Sequence, residues 1–400
     1  MPKGGSGYGA TAMNLKQSAT TAFDGVETEL REICRWMYEN PELAYEEHLS
    51  SARLAEFLGR NGFEVSRPAY GLDTAFEANA GSSGPRVVVC AEYDALAGVG
   101  HACGHNIIAT AALGAGVAVA GLVDELGIRV TVLGTPAEEG GGGKIDLIAA
   151  GAFDDASAAM MIHPSTRDVV DPRVLAAQGL EVTFRGKESH AAFAPQSGIN
   201  ALDAFVNSYT AISVLRQQLE AGDRVHGVID EGGVAPNVIP ALTRSRWIVR
   251  SETANRFESL RAQAVACFEA AGRATGCDVE ITYEGEPYID LVTNPVMAGL
   301  FAANCAANGR PMPTWAEIGP EGAGSTDMGN VSHVVPSIHP SLAIDTEAVN
   351  HQPEYAAATI TPSGERALRD GAVAMAHTIV DMATEDVWDH LVGPGGNVPA

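Results

Sequence analysis

Three clusters of metal-ligand residue types lie far apart in this sequence. The first is His101-Ala102-Cys103-Gly104-His105, the second is the pair Glu138-Glu139, and the third is His163. Each follows or ends a short apolar run of the kind that forms a buried strand. Imidazole, thiolate and carboxylate groups suit zinc or a similar divalent ion, whereas manganese prefers harder oxygen and nitrogen donors. Together the clusters predict a divalent metal site.

Each cluster alone has an ordinary structural explanation. A Cys-x-His pair is more often a packed thiol beside a solvated imidazole, and adjacent glutamates are usually a surface turn. A histidine before Pro164 can simply end a strand. The coincidence of all three at the ends of successive strands favours a site, because open α/β sheets bind ligands at the carboxyl ends of their strands.

The adjacent glutamates indicate hydrolysis as the chemistry of that site. Neighbouring side chains diverge, so one carboxylate can bind the metal while the other faces an attacking water. A divalent ion activates water, and the second carboxylate can take its proton. The run Gly140 to Gly143 lets the backbone approach without side-chain clashes. These residues alone leave open which glutamate takes which role.

Buried strands alternate with helices in the first part of the chain, and this alternation places the clusters. It predicts an α/β domain with a mixed, largely parallel sheet flanked by helices. The predicted strands are 86–91, 129–133 and 158–162, and the predicted helices begin near Asp24, His48, Asn106 and Lys144, the third of them running to about Leu126.

The middle of the chain predicts a second domain with a different order of elements. Its order, β-α-β-β-α-β, is typical of ferredoxin-like domains. We therefore predict a catalytic domain over 1–177 and 287–400, interrupted by an insertion over 178–286. The elements predicted in the insertion are strand 180–184, helix 200–219, strands 225–229 and 245–249, helix 256–274 and strand 279–283, and helices near 295–307 and 356–382 follow it.

Composition excludes several classes of protein. The chain is 46% apolar and 19% charged, as globular proteins are, and its net charge of −25 repels nucleic acid. Six scattered cysteines show no disulfide framework, which predicts a reducing compartment and hence the cytoplasm. The apolar stretch 107–123 holds three glycines and is expected to be a buried helix, not a membrane span. Residues 1–21 are expected to be loosely packed.

The motifs around these clusters resemble the metal-dependent amidohydrolases of family M20. The resemblance covers nearly the whole chain, in order. It is nearest to the cysteine-containing branch, which holds amino-acid-conjugate hydrolases, aminobenzoyl-glutamate hydrolases and, as the closest subgroup, aminoacylase-1-like dipeptidases. The motifs that carry it are Tyr93 to Leu96, Gly100 to Asn106, Gly134 to Glu139, Ser189 to Ala192, Gly233 to Pro240, Gly324 to Ser332 and Asn350-His351.

The resemblance implies roles for individual residues. Glu138 would be the general acid/base, and Asp94 would orient a metal-binding side chain. His190, on the inserted domain, would polarise the scissile carbonyl, while Asn237 and Arg250 would hold a substrate carboxylate. The implied cofactor is one or two divalent ions, zinc or manganese. The implied ligands are Cys103, His105, Glu139, His163 and His351.

Two points of the resemblance stay open. His339 competes with His351 as the last ligand, because both lie in the same part of the chain. Many M20 enzymes also carry His-x-Asp where this chain has Glu92-Tyr93-Asp94, so His105 has to supply the imidazole. His190 can instead be a surface histidine, Arg250 one more solvated charge, and Asn237 a turn residue.

The predicted function is metal-dependent hydrolysis of the C–N bond in a small N-acyl amino acid, amino-acid conjugate or dipeptide. One alternative is hydrolytic deamination of an aromatic amine or amidine by the same activated water. A second is a non-catalytic metal-binding module, against which Glu138 argues. The resemblance implies a homodimer formed through the inserted lid domain, whose residues act in their own subunit or in the partner's. We expect a small-molecule substrate and no nucleic-acid or membrane partner.

Overall fold

The chain folds into two units, each described here by itself. The computed structural model describes residues 7–319 and 324–391. The first unit contains the described residues up to Arg173, those from Leu291 to 319, and those from Asp327 onward. The second unit contains Val174–Asp290 and residues 324–326. The division into domains at 178 and 286 stays a prediction.

Helices and strands alternate along most of the first unit. The helices are α1 (Gly7–Asp24), α2 (Glu27–Glu39), α3 (His48–Arg60), α4 (His105–Ala120), α5 (Val123–Leu126), α6 (Gly143–Ala149), α7 (Ala201–Leu215), α8 (Ala254–Thr275), α9 (Pro295–Ala307), α10 (Trp315–Ile318), α11 (Met328–Ser332), α12 (Pro353–Ala358) and α13 (Pro362–Thr384). The strands are β1 (Glu64–Ser66), β2 (Phe76–Ala80), β3 (Arg86–Glu92), β4 (Arg129–Thr135), β5 (Ala156–Met160), β6 (His163–Ser165), β7 (Ala176–Arg185), β8 (Arg224–Glu231), β9 (Leu242–Ser251), β10 (Asp278–Tyr288), β11 (Ser337–Ile338) and β12 (Ser341–Ala343).

A mixed, mostly parallel sheet forms the centre of the first unit, which confirms the predicted fold class. Its strand order is β1-β2-β4-β3-β5-β11. β3 pairs in parallel with β4 and β5, while β1 and β2 form an antiparallel edge. Every residue of β3 is buried, as a strand covered on both faces requires. The edge strands β1 and β2 were not predicted, because neither shows a run of β-branched residues.

The register of the sheet brings the ends of its strands to one edge. Glu92, the last residue of β3, pairs with Thr135, the last residue of β4. Met160, the last residue of β5, pairs with Val89 of the same β3. The loops that follow these strands therefore begin side by side, as the sequence predicts for the metal-ligand clusters.

The amino-terminal segment is ordered, and the expectation of loose packing over 1–21 is wrong for its described part. Leu15, Ala19 and Phe23 of α1 recur every fourth residue and are all buried. The Lys16 ammonium donates to Asp381 Oδ2 at 2.6 Å. The many small residues hide this apolar stripe from inspection of composition. Residues 1–6 lie outside the described part of the chain.

Helix α4 is buried along almost its whole length and is shorter than predicted. The helix predicted over 106–126 is two helices, because the chain turns at Gly121-Leu122 before α5. Within the described residues no helix combines the length and the hydrophobicity that crossing a bilayer needs.

The second unit has the predicted β-α-β-β-α-β order. Its four antiparallel strands are ordered β10-β7-β9-β8, with β8 at one edge. Helices α7 and α8 pack against each other and against the sheet. Trp247 of β9 lies 5.1 Å from the Phe268 ring and is buried at the centre of the unit's core.

A buried ion-pair cluster ties three elements of the first unit together at the ligand edge. Lys144, near the start of α6, has no exposed surface. Its ammonium donates to the Glu92 carboxylate at the end of β3 and to Asp327 Oδ1 at 2.7 Å. Its backbone N–H donates to Asp327 Oδ2 at 2.9 Å, just before α11. One cation thus neutralises two carboxylates that burial would otherwise disfavour.

We expect Lys144→Met to lower the free energy of unfolding by about 3–5 kcal/mol, because it leaves two buried carboxylates without their counter-ion. Urea unfolding followed by circular dichroism measures the loss. Lys187→Met, the same substitution at an exposed lysine, is the control and should change stability by less than about 0.5 kcal/mol. Equal stability of the two variants would contradict a structural role for the cluster.

Candidate metal centre

Side chains from distant parts of the chain converge at the ligand edge of the first unit. Four donor groups have all their ligand atoms within 4.8 Å of one another. The predicted ligands all belong to these groups. The groups are Cys103 with His105 and His163; Cys103 with Glu139 and His351; His105 with Glu138 and Glu139; and Glu92 with Glu138 and Asp327.

His105 is placed by a glycine and oriented by a carboxylate. Gly104, immediately before α4, has a φ of +86°, and a Cβ there would lie 2.3 Å from Pro164 Cγ. Only glycine allows this approach of α4 to the segment that carries His163. The Nδ1 of His105 donates to Asp94 Oδ1 at 2.9 Å, so its Nε2 presents a lone pair.

Asp94 connects this histidine to the glutamate loop. Its second oxygen, Oδ2, accepts a hydrogen bond from the Glu139 backbone N–H at 2.8 Å. Burial opposes the charged forms, but the pair overrides it: the pKa of Asp94 is lowered and the pKa of His105 is raised well above its usual value. Asp94 therefore orients two ligand-bearing segments at once.

His163 is held in the tautomer that a metal ligand needs. Its Nδ1 donates to the Pro164 carbonyl at 2.6 Å, which leaves the Nε2 lone pair 3.5 Å from Cys103 Sγ. Burial lowers the pKa of His163 to about 4, so the ring is neutral. A neutral imidazole with a free lone pair is the form that binds divalent ions.

Cys103 lies at the centre of the donor groups. The Asn350 side-chain amide donates to its Sγ at 3.5 Å. Burial raises the pKa of the Cys103 thiol to about 12. A divalent cation reverses that balance, because coordination deprotonates a thiol.

The two adjacent glutamates meet at His105 and then diverge. Glu138 Oε2 and Glu139 Oε1 each lie 3.8 Å from His105 Nε2. Glu139 also approaches His351, whereas Glu138 lies with Glu92 and a further carboxylate. Burial, and next the nearby Glu92 carboxylate, raises the pKa of Glu138 well above its usual value. The pair therefore faces two different surroundings, as the sequence predicts for one ligand and one base.

His351, and not His339, belongs to a donor group among the described residues. The Nε2 of His351 lies 3.6 Å from Glu139 Oε1, and its backbone N–H donates to Ala102 O at 2.8 Å. Its φ of +73° is unusual for a residue other than glycine. His339 packs edge-on against His163 at 5.5 Å between ring centroids. The geometry therefore favours His351 of the two candidates.

The arrangement of donor atoms fits a divalent cation. His105 Nε2 and Glu139 Oε1 are buried, and neither has a hydrogen-bond partner within the described chain. Buried polar atoms rarely stay unsatisfied, so two of them facing each other at 3.8 Å indicate an ion site. Imidazole, thiolate and carboxylate in one cluster are typical ligands of zinc and related metals.

Sequence reasoning missed some of the polar residues at this edge. Glu92 and Lys144 were not predicted to pair, and Asn350 was predicted only as part of a motif. A signal was present for Glu92, because a carboxylate at the end of a fully buried strand requires a partner cation. Nothing in the sequence identifies Lys144 as that cation.

The three remaining predicted site residues lie in the second unit. His190 forms an antiparallel bridge with Val238, and the Ala191 N–H donates to the Asn237 carbonyl at 3.0 Å. The side chains of His190 and Asn237 are exposed there. Arg250, on β9, is half-buried and donates to Ser325 Oγ at 3.0 Å. The second unit thus brings His190 and Asn237 together.

Comparison with known proteins agrees with this fold and donor set. The model of peptidase family M20/M25/M40 matches residues 88–381. An Xaa-Arg dipeptidase of Mus musculus is 40% identical over 387 residues, 92% of this chain and 89% of that protein. One of the polypeptides of the Escherichia coli p-aminobenzoyl-glutamate hydrolase is 31% identical over 285 residues, 65% of this chain and 59% of that one.

Solved structures share the fold. A dinuclear metal-binding peptidase of family M20 from Bacillus subtilis superposes with a TM-score of 0.70 at 19% identity, covering 89% of this chain and 98% of that one. The residues that the family model matches include all five candidate ligands, Glu138 and the whole second unit. The chain belongs to peptidase family M20/M25/M40.

Proposed function

We propose that this chain is a metal-dependent dipeptidase in which Glu138 is the general acid/base. Hydrolysis of an amide bond in a dipeptide or acyl amino acid follows from the family and its relatives. The residue roles and the preferred substrate are our proposal. The observation that carries it is the convergence of the donor side chains from separate loops, with Glu138 beside them.

The proposed ligands are the five predicted ones. Cys103 and Glu139 each belong to two donor groups, which supports two neighbouring ions in preference to one. The thiolate favours zinc, while the carboxylate and imidazoles also suit manganese. When bound, the metal supplies Lewis-acid polarisation of the amide carbonyl and activation of water. The full proposed set is Cys103, His105, Glu139, His163 and His351.

The chain's own groups are proposed to move the proton and hold the substrate. Glu138 takes a proton from the attacking water and delivers it to the leaving amine nitrogen, so its carboxylate is regenerated. Asp94 keeps the His105 ring and the Glu139 backbone aligned through its two oxygens. The ligand positions are thereby fixed before substrate binds.

The second unit is proposed to supply groups that recognise the substrate. The Nδ1 of His190 accepts hydrogen bonds from the Ala192 and Phe193 N–H groups at 3.3 and 3.2 Å. That leaves the proton on Nε2, as a donor to an oxyanion requires. Asn237 and Arg250 are proposed to hold the carboxylate of the leaving amino acid, for which the Arg250 guanidinium is suited.

The proposed substrates are dipeptides whose carboxyl-terminal residue is a cation. The support is the 40% identity over 92% of this chain to an enzyme named for Xaa-Arg dipeptides. The net charge of −25 is compatible with a cationic substrate. Deamination of a ring amine remains the alternative that a substrate panel can reject.

We also propose a cytoplasmic homodimer formed through the second unit. Edge strand β8 exposes Val228, and the adjacent α7 exposes Val206, Tyr209 and Val214. The side chain of Arg216, just after α7, donates to the Val225 carbonyl of β8, so this helix and strand are neighbours. An unpaired strand edge beside apolar side chains is suited to pairing with a second copy. All six cysteines are free, which supports a reducing compartment.

Glu138→Gln is expected to lower kcat by about 10³-fold or more, because the amide cannot accept the proton. Metal content, measured by elemental analysis, should stay at the wild-type level. Glu125→Gln, at an exposed glutamate of the same unit, is the matched control and should keep its activity. A metal-replete Glu138→Gln enzyme with near-normal turnover would contradict the mechanism. Chelation should abolish wild-type activity, and zinc or manganese should restore it.

A substrate panel tests the proposed specificity. We expect kcat/KM to be about 10-fold or more higher for dipeptides ending in Arg or Lys than for those ending in Glu. The panel should include p-aminobenzoyl-glutamate, N-acetyl amino acids and an anthranilate-type amine. Highest activity on the amine would support deamination in place of amide hydrolysis.

Val228→Glu is expected to shift the protein from dimer to monomer, because it places a charge on the proposed apolar interface. Sedimentation velocity measures the change. Val334→Glu is the matched control, since Val334 is 54% exposed against 57% for Val228 and lies in the first unit. A wild-type protein that is monomeric at micromolar concentration would overturn the proposal.

A further inference from the structure

A short segment between α2 and α3 contacts both loops that carry the proposed catalytic groups. We call residues 42–47 the connecting segment. The Glu42 carbonyl accepts a hydrogen bond from the Ala95 N–H at 2.8 Å, one residue after Asp94. Glu47 Oε1 accepts from the Ala137 N–H at 2.9 Å, one residue before Glu138. The two loops are thus tied to the same few residues.

Glu47 stands where a helix cap is expected but does not act as one. It immediately precedes α3 and makes no side-chain bond to the first turn of that helix. The Leu49 and Ser50 N–H groups are instead bound by the Glu42 carboxylate, at 2.9 and 2.7 Å. With its own helix capped by another residue, Glu47 is completely buried and directed to Ala137.

Ala137 has a backbone conformation that needs such support. Its φ is +60°, a left-handed value that costs a residue with a Cβ roughly 1–2 kcal/mol. Its carbonyl accepts from the Gly141 and Gly142 N–H groups at 3.1 and 2.8 Å. The hydrogen bond to Glu47 holds the other side of the residue. A strained conformation persists only where its surroundings over-determine it in this way.

The connecting segment also holds the far end of the same loop. The Tyr45 hydroxyl donates to Asp146 Oδ2 at 2.6 Å on α6. A Cβ at Gly141 would lie 2.2 Å from the Tyr45 ring, so the loop passes directly against this side chain. The loop that contains Glu138 is therefore held at both ends by residues that precede α3.

We propose that Glu47 is a positioning residue for Glu138. Its carboxylate fixes the Ala137 N–H, and this keeps the left-handed turn that directs the Glu138 side chain toward His105. The inference rests on the proposed role of Glu138 as the general acid/base. Glu47 itself touches neither the donor atoms of the metal centre nor the substrate, and acts only through the backbone of the loop.

Three substitutions at Glu47 separate positioning from charge and from packing. Glu47→Leu fills the volume but removes the acceptor, and we expect kcat to fall on the order of 10²-fold with KM and metal content nearly unchanged. Glu47→Gln keeps an amide oxygen at the same reach and should stay within about 3-fold of wild type. Glu47→Asp keeps the charge but withdraws the acceptor by one methylene, so it should lose more kcat than Glu47→Gln.

The ranking of Glu47→Gln above Glu47→Asp is the decisive result, and it stands even where Glu47→Leu fails to fold. Glu46→Ala, at the exposed neighbour, is the control and should retain wild-type kcat. The opposite ranking, or Glu47 variants that lose only melting temperature and keep kcat per metal-loaded enzyme, would overturn the proposal.

The same assay distinguishes this inference from the proposed function. An inactive Glu138→Gln enzyme together with unimpaired Glu47 variants would reject only the positioning role. An active Glu138→Gln enzyme would reject the proposed function itself, whatever the Glu47 variants do. Elemental analysis of each variant separates loss of metal from loss of positioning.

Discussion

The Asp94 carboxylate is the interaction on which the rest of the candidate site depends. One oxygen holds the His105 ring and the other holds the Glu139 backbone, so a single side chain fixes two ligands that lie 34 residues apart in the chain. It can do so because β3 and β4 end in register at one edge of the sheet. The remaining donors add to this pair: His163 through Cys103, and His351 through Glu139.

Much of the fold could be predicted from local patterns, and the failures have physical causes. The run Val87 to Val89 and the alternation of strands with helices predicted the parallel part of the sheet, and the second unit followed from its order of elements. Helix α1 was missed because Leu15, Ala19 and Phe23 are separated by small and polar residues, so that composition hides the buried stripe. Its stability comes from tertiary contacts that no local pattern contains.

The candidate site was predictable in its residue types but not in its supporting contacts. Metal ligands are recognisable because few residue types bind divalent ions, and their spacing after strands indicates a shared edge. Lys144 and Glu47 carry no such signature, since lysine and glutamate are common at helix starts and on surfaces. Their roles become visible only where burial forces each to find a specific partner: the Glu92 and Asp327 carboxylates for Lys144, and the Ala137 N–H for Glu47.

The interruption of the first unit constrains the order in which the chain can fold during synthesis. The second unit is almost continuous in sequence, so most of its contacts can form as soon as residue 290 has left the ribosome. The first unit has to wait, because Asp327, strand β11, His351 and helix α13 are translated only afterwards. Until then Lys144 lacks one of its two carboxylates and α4 lacks the packing of α13. Nascent chains of this protein therefore expose the apolar surface of α4 for the time that translation of the last hundred residues takes, which makes that helix a natural binding segment for chaperones.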